Sequence, residues 1–72
     1  MTVLREQLER LIDDLVARGV RYDDAQREFE KRFIAHVLAK SDGNLGKAAD
    51  LLGMHRNTLS RKMSEYRLRH SA

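Results

Sequence analysis

The residues of this 72-residue chain best suited to specific chemistry are crowded near its C-terminus: His55-Arg56-Asn57-Thr58, then Ser60, Arg61, Lys62 and Ser64. They are hydrogen-bond donors and cations, the groups that read base edges and hold phosphates. Arg56 can donate two bonds to guanine O6 and N7, and Asn57 can pair with adenine N6 and N7. Each such contact discriminates between bases by about 1–3 kcal/mol. His55 and Ser60 share this face as further base-edge candidates. Thr58, Arg61, Lys62 and, further back, Lys47 can reach phosphates, which fix position but carry no sequence information. Asn44, with the amides beside it, can hold another phosphate at a helix start.

These residues need a scaffold, and residues 44–66 supply one. The stretch NLGKAADLLGMHRNTLSRKMSEY is expected to form two short helices around a turn at Leu52-Gly53-Met54. Asn44 suits the N-cap of the first. Leu45, Ala48 and Leu52 face inward, and Ala49 sits where a neighbouring helix crosses closely. Gly53 supplies a positive φ, and Met54 plugs the turn into the core. Leu59 and Met63 anchor the second helix, with Tyr66 one turn beyond. His55, Arg56, Asn57, Ser60, Arg61 and Ser64 are left on the outside. This is the pattern of a helix-turn-helix, whose second helix enters a major groove.

The first half has a different pattern. Leu4, Leu8, Leu11 and Leu15 are spaced 4, 3 and 4 apart, and Ile12 and Val16 widen the stripe. Thr2 is expected to cap this helix, and Gly19 to end it in the left-handed conformation. Asp23 is expected to open a second helix, with Gln26 at the capping-box position. Asp24 and Glu28 near its start favour the positive end of the helix dipole. Ala25, Phe29, Phe33 and Val37 form one apolar line, with Ile34 and Leu38 beside it. Phe29 and Phe33 are assigned to a core rather than a ligand site, and His36 to a surface or interface. Glu28 and Arg32 are placed for an i,i+4 pair. Ser41-Asp42-Gly43 ends the helix.

The whole chain limits the rest. A core this small is marginal without disulfides, a metal or a partner subunit. There is no cysteine, and His36, His55 and His70 are far apart, so neither disulfides nor a metal site is expected. A second copy is the remaining support. The reading is therefore all-α, with four helices per chain. Residues 1–43 are the dimerisation helices and residues 44–72 the helix-turn-helix unit, within one compact domain. Leu4, Leu8, Leu11, Ile12, Leu15, Phe29, Phe33 and Val37 would line the dimer's four-helix core. Residues 1–43 carry a net charge of −1 and residues 44–72 a net +4, so the excess positive charge sits with the helix-turn-helix. No apolar run spans a bilayer and no leader pattern is present, so a cytoplasmic protein is expected, and DNA binding would place it with the nucleoid.

Residues 29–68 resemble the Fis family of helix-turn-helix proteins, which includes the C-terminal domains of NtrC-type activators. The resemblance rests on Gly43-Asn44, Ala48-Ala49, Leu51-Leu52-Gly53-Met54, Arg56-Asn57-Thr58-Leu59, Arg61-Lys62 and Tyr66. It implies a homodimer that places two recognition helices on a degenerate inverted repeat of double-stranded DNA and bends it. Carried over by position, Asn44, Lys47, His55, Arg56, Thr58, Arg61 and Lys62 contact DNA. Gly46, His55 and Ser60 depart from the pattern of the family's nucleoid-protein member, and these positions bear on affinity and target rather than on binding mode.

Rival readings are weaker. Gly43-Asn44-Leu45-Gly46-Lys47 lacks the spacing of a phosphate loop, and a KH domain would need strands. No catalytic constellation, cofactor motif or small-molecule site emerges, so an enzyme is not expected. The alternative from another class is a dimeric interaction adaptor whose basic end binds an acidic protein. It predicts binding that ignores Arg56.

Overall fold

The structure, a computed structural model, describes residues 2–68; Met1 and residues 69–72, including His70, lie outside the described residues. Four helices and no strands are present among them: α1 (Thr2–Ala17), α2 (Tyr22–Lys40), α3 (Leu45–Leu52) and α4 (Arg56–Tyr66).

All four helices end in the same way. A residue in the left-handed conformation follows each, at Gly19, Asp42, Gly53 and Arg67, with φ of 74°, 54°, 70° and 57°. At each end the next amide reaches back to the carbonyl five residues earlier: Val20 to Leu15, Gly43 to Leu38, Met54 to Ala49 and Leu68 to Met63, at 2.8–3.1 Å. This is the Schellman arrangement, which satisfies carbonyls that would otherwise lack partners. Val20, Met54 and Leu68 supply the apolar residue that usually accompanies it, and Met54 and Leu68 pack on the core. Glycine at two of these positions is expected from its lack of a Cβ. Asp42 is a short polar residue that tolerates the conformation, whereas Arg67 adopts it at some steric cost.

The helix starts need two adjustments. α2 begins at Tyr22 with Arg21 as its cap and no side-chain capping bond, so Asp23 does not cap it. Asp23 and Asp24 instead occupy the first turn, where their charges still meet the positive end of the helix dipole. Thr2 likewise lies inside α1 rather than ahead of it. The Asn44 cap is as expected, with its Oδ1 accepting the Lys47 amide at 3.0 Å.

The core is small. It consists of Ile34 and Leu38 from α2, Ala48 and Ala49 from α3, and Leu59 and Met63 from α4, all at most 5 % exposed. Val37, Leu45, Leu52, Met54, Tyr66 and Leu68 pack around it. The line of α2 that enters this core is therefore Ile34–Leu38. Phe29 and Phe33, assigned to a core from the sequence, remain 56 % and 49 % exposed on the chain. Their rings lie beside each other, at 5.5 Å between centroids.

The first helix makes no contribution to this core. No residue of α1 is buried. Leu4, Leu8, Leu11 and Ile12 are all between 47 % and 54 % exposed. The radius of gyration, 14.0 Å, exceeds the value of about 11 Å expected for a compact domain of this length.

Two substitutions test this account. Leu59→Ala should destabilise the fold by about 2–5 kcal/mol in a denaturant titration, the range for truncating a buried leucine. Gly53→Ala meets no atom within 4 Å of the added Cβ. Its cost, about 1–2 kcal/mol, should come from the left-handed backbone alone.

Candidate nucleic-acid interface

The residues expected to read DNA lie on the outer side of α4 and at the start of α3. Arg56, Asn57, Ser60, Arg61 and Ser64 are exposed, as are Asn44 and Lys47. Leu59 and Met63 hold the opposite side of α4 in the core, at 0 % and 2 % exposure. The spacing of these two anchors, one turn apart, is what turns the donors outward. Thr58 is half-buried at the edge of this face.

His55 has a structural role that the sequence did not announce. It is the N-cap of α4, and its Nδ1 accepts the Asn57 amide at 3.1 Å. Histidine is not among the usual capping residues, which are Ser, Thr, Asp and Asn. An acceptor at Nδ1 requires the neutral ring to carry its proton at Nε2. The ring thus caps the helix with one nitrogen and keeps a donor on the other. Asn44 is divided in the same way: its oxygen caps α3, and its NH₂ group remains free to donate.

Lys62 is placed differently from its neighbours. It is half-buried, and its ammonium meets Glu30 Oε1 of α2 at 2.9 Å. The Tyr66 hydroxyl donates to the same oxygen at 2.8 Å. The Arg27 guanidinium lies over the Tyr66 ring, 5.8 Å from its centroid. The bond from Lys62, followed by that from Tyr66, holds the Glu30 carboxyl below its ordinary value of 4.5. The same bond raises the Tyr66 hydroxyl above 10.0. Neither Glu30 nor Arg27 was singled out from the sequence. Glu30 is 32 positions from Lys62 and 36 from Tyr66, so no local spacing marks the cluster. The expected Glu28–Arg32 pair is present at 3.1 Å and is exposed.

A second surface lies on the far side of α2. Leu11, Leu15, Val20, Phe29, Phe33 and Val37 line an open apolar groove of about 920 Å³ between α1 and α2, with His36 and the exposed Leu51 at its margin. Among the described residues no cluster of side chains could hold a metal ion. No helix there is long and apolar enough to cross a membrane.

Comparison with known proteins agrees with this geometry. The sequence model for "Bacterial regulatory protein, Fis family" matches residues 25–66. A Neisseria meningitidis protein described as Fis-like and DNA-binding is 35 % identical over 68 residues, covering 90 % of this chain and 85 % of that one. A Xylella fastidiosa protein with the same description is 45 % identical over 47 residues, 65 % of this chain and 52 % of its own length. The DNA-binding transcriptional regulator NtrC of Rhizobium meliloti is 40 % identical over 62 residues, 86 % of this chain but 13 % of the regulator. The chain thus spans about half the length of the Xylella relative and a small part of the NtrC regulators. No solved structure gives a significant match.

The Glu30 cluster gives a pH prediction. A carboxyl held below its unfolded value contributes stability that is present above that value and is lost as pH falls through the folded one. Glu30→Gln should therefore lower stability at neutral pH, with the gap to the unsubstituted chain closing well below pH 4.5. The Tyr66 contribution runs the other way, and is lost as pH rises beyond 10.0. Urea titrations at fixed protein concentration, across this range and on both proteins, measure the effect.

Proposed function

Because this chain belongs to the Fis family of bacterial regulatory proteins, we propose that it binds double-stranded DNA as a homodimer with a sequence preference. It sets one α4 from each protomer into successive major grooves. The observation that carries the reading is the outer face of α4. Arg56, Asn57, Ser60 and Arg61 are all exposed there, on a segment whose net charge is +4. The opposite face is fixed in the core. Arg56 and Asn57, in the first turn of α4, are the base readers, assisted by the His55 Nε2–H and the Ser60 hydroxyl. Lys47, Thr58 and Arg61 anchor phosphates, as do the Asn44 amide and the start of α3.

The dimer half of the proposal is supported by what a single chain leaves uncovered. α1 buries no residue, yet it presents six large apolar side chains to solvent. Leu11 and Leu15 of α1 line one apolar groove with Phe29, Phe33 and Val37 of α2, and Leu4, Leu8 and Ile12 are further exposed apolar residues of α1. Two copies brought together on these residues make a four-helix core, which a 72-residue chain needs for stability. The spacing of the two recognition helices would then set the spacing of half-sites, and bending would bring both within reach. Acting on DNA, the protein would work in the bacterial cytoplasm, in the nucleoid, and its role there would be transcription control or DNA architecture.

Two measurements test this. In gel shifts, the unsubstituted chain should retain duplex DNA, with log K falling by about 0.9 per phosphate contact for each unit of log salt. Arg56→Ala should weaken binding to a selected sequence by about 1–3 kcal/mol. No retention at low salt, or binding indifferent to Arg56, would favour an acidic protein as the partner. In sedimentation equilibrium the chain should run at twice its 8.4 kDa mass. Phe33→Asp should give a monomer with weakened DNA binding, whereas a stable folded monomer without substitution refutes the dimer.

A further inference from the structure

We infer that Glu30 is a positioning residue for the recognition helix, and that Lys62 is committed to Glu30 rather than to a DNA phosphate. This rests on the DNA-binding reading above and extends it to a residue on another helix.

Lys62 and Tyr66 are one turn apart on α4, and both end on the same atom, Glu30 Oε1, at 2.9 and 2.8 Å. The apolar contacts of Leu59 and Met63 hold α4 against α2 but are indifferent to small rotations. Hydrogen bonds are directional. Two donors from successive turns that meet at one acceptor fix both the roll of α4 and its slide along α2. A change in roll would swing Arg56 and Asn57 away from the base edges they must reach. Arg27, three residues before Glu30, closes over the Tyr66 ring and restrains the same end of α4.

The charges point the same way. Both partners of the pair are 30 % exposed, where a charge is screened less than on an open surface. Moving the ammonium to a phosphate would leave a half-buried carboxylate unpaired beside an anionic backbone. Lys62, which its sequence position offers as a phosphate anchor, is therefore neutralised, and Lys47, Arg56 and Arg61 carry the free charge of the surface.

The test is a salt series of binding to a mixed-sequence duplex and to a selected site, for the unsubstituted chain, Glu30→Gln and Glu30→Gln/Lys62→Met. Glutamine keeps an acceptor for Tyr66 and releases the Lys62 charge. Glu30→Gln should steepen the salt slope by about 0.9 per chain as the freed ammonium finds a phosphate. Its preference for the selected site should fall. Adding Lys62→Met should remove the extra slope. A merely structural Glu30 would lower affinity at every salt with the slope unchanged, and that result overturns the inference while leaving the DNA reading intact. A steeper slope that survives the second substitution overturns it too. Should Glu30→Gln not fold, NMR of the Lys62 amine in the unsubstituted chain decides. Its signal should stay on Glu30 through a DNA titration while the Arg61 signals shift, and displacement by DNA overturns the inference. If the unsubstituted chain retains no duplex at low salt, the DNA reading falls and takes the inference with it.

Discussion

The close approach of α3 to its two neighbours governs this structure. Ala48 and Ala49 are 0 % and 3 % exposed, and they are the only buried residues of an eight-residue helix. Such a helix cannot hold itself together in water. Its small side chains let Ile34 and Leu38 come in from one side and Leu59 and Met63 from the other. A larger residue at either alanine would push the helices apart, because interiors this tightly packed do not absorb added volume. Which side of α4 faces inward, and which is left outside, follows from that contact.

α2 is the element through which the two halves of the chain communicate. One line of its residues, Glu30, Ile34 and Leu38, meets the helix-turn-helix through a charge and two apolar side chains. The adjacent line, Phe29, Phe33 and Val37, faces the open groove alongside α1. A helix with apolar residues on two faces must be covered from two directions. Within one chain only one direction is covered. In the proposed dimer the same helix would join the dimer core to α4, and the placement of the twin would set the placement of its α4.

Asn44 and His55 cap two of the helices: each uses one polar atom to satisfy a backbone amide. In the proposed DNA complex each would use its other polar atom, a nitrogen, as a donor. A cap that also contacts a ligand is held in place before the ligand arrives, which reduces the ordering cost of binding. Ser41 is the exception among polar groups: it is 2 % exposed, and its hydroxyl has no hydrogen-bond partner.

Much of this was legible in the sequence because local rules govern it. Four helices, the Asn44 cap, the glycine turns at Gly19 and Gly53, the inward Leu59–Met63 pair and the Glu28–Arg32 pair all follow from spacings within one or two turns. Helix ends without an obvious residue did not. Arg67 in a left-handed position and His55 as a cap follow the same geometry under identities that do not advertise it. Three features needed tertiary structure. Periodicity marked a broad apolar stripe on α2, but not that Ile34–Leu38 rather than Phe29–Phe33 enters the chain's own core. It marked Lys62 as an outward cation, although Glu30 draws it back. It gave no sign of Arg27 above Tyr66. The reason is common to all three: a sequence period fixes which residues share a helix face, whereas the partner of that face depends on how helices cross, which contacts between residues far apart in sequence decide.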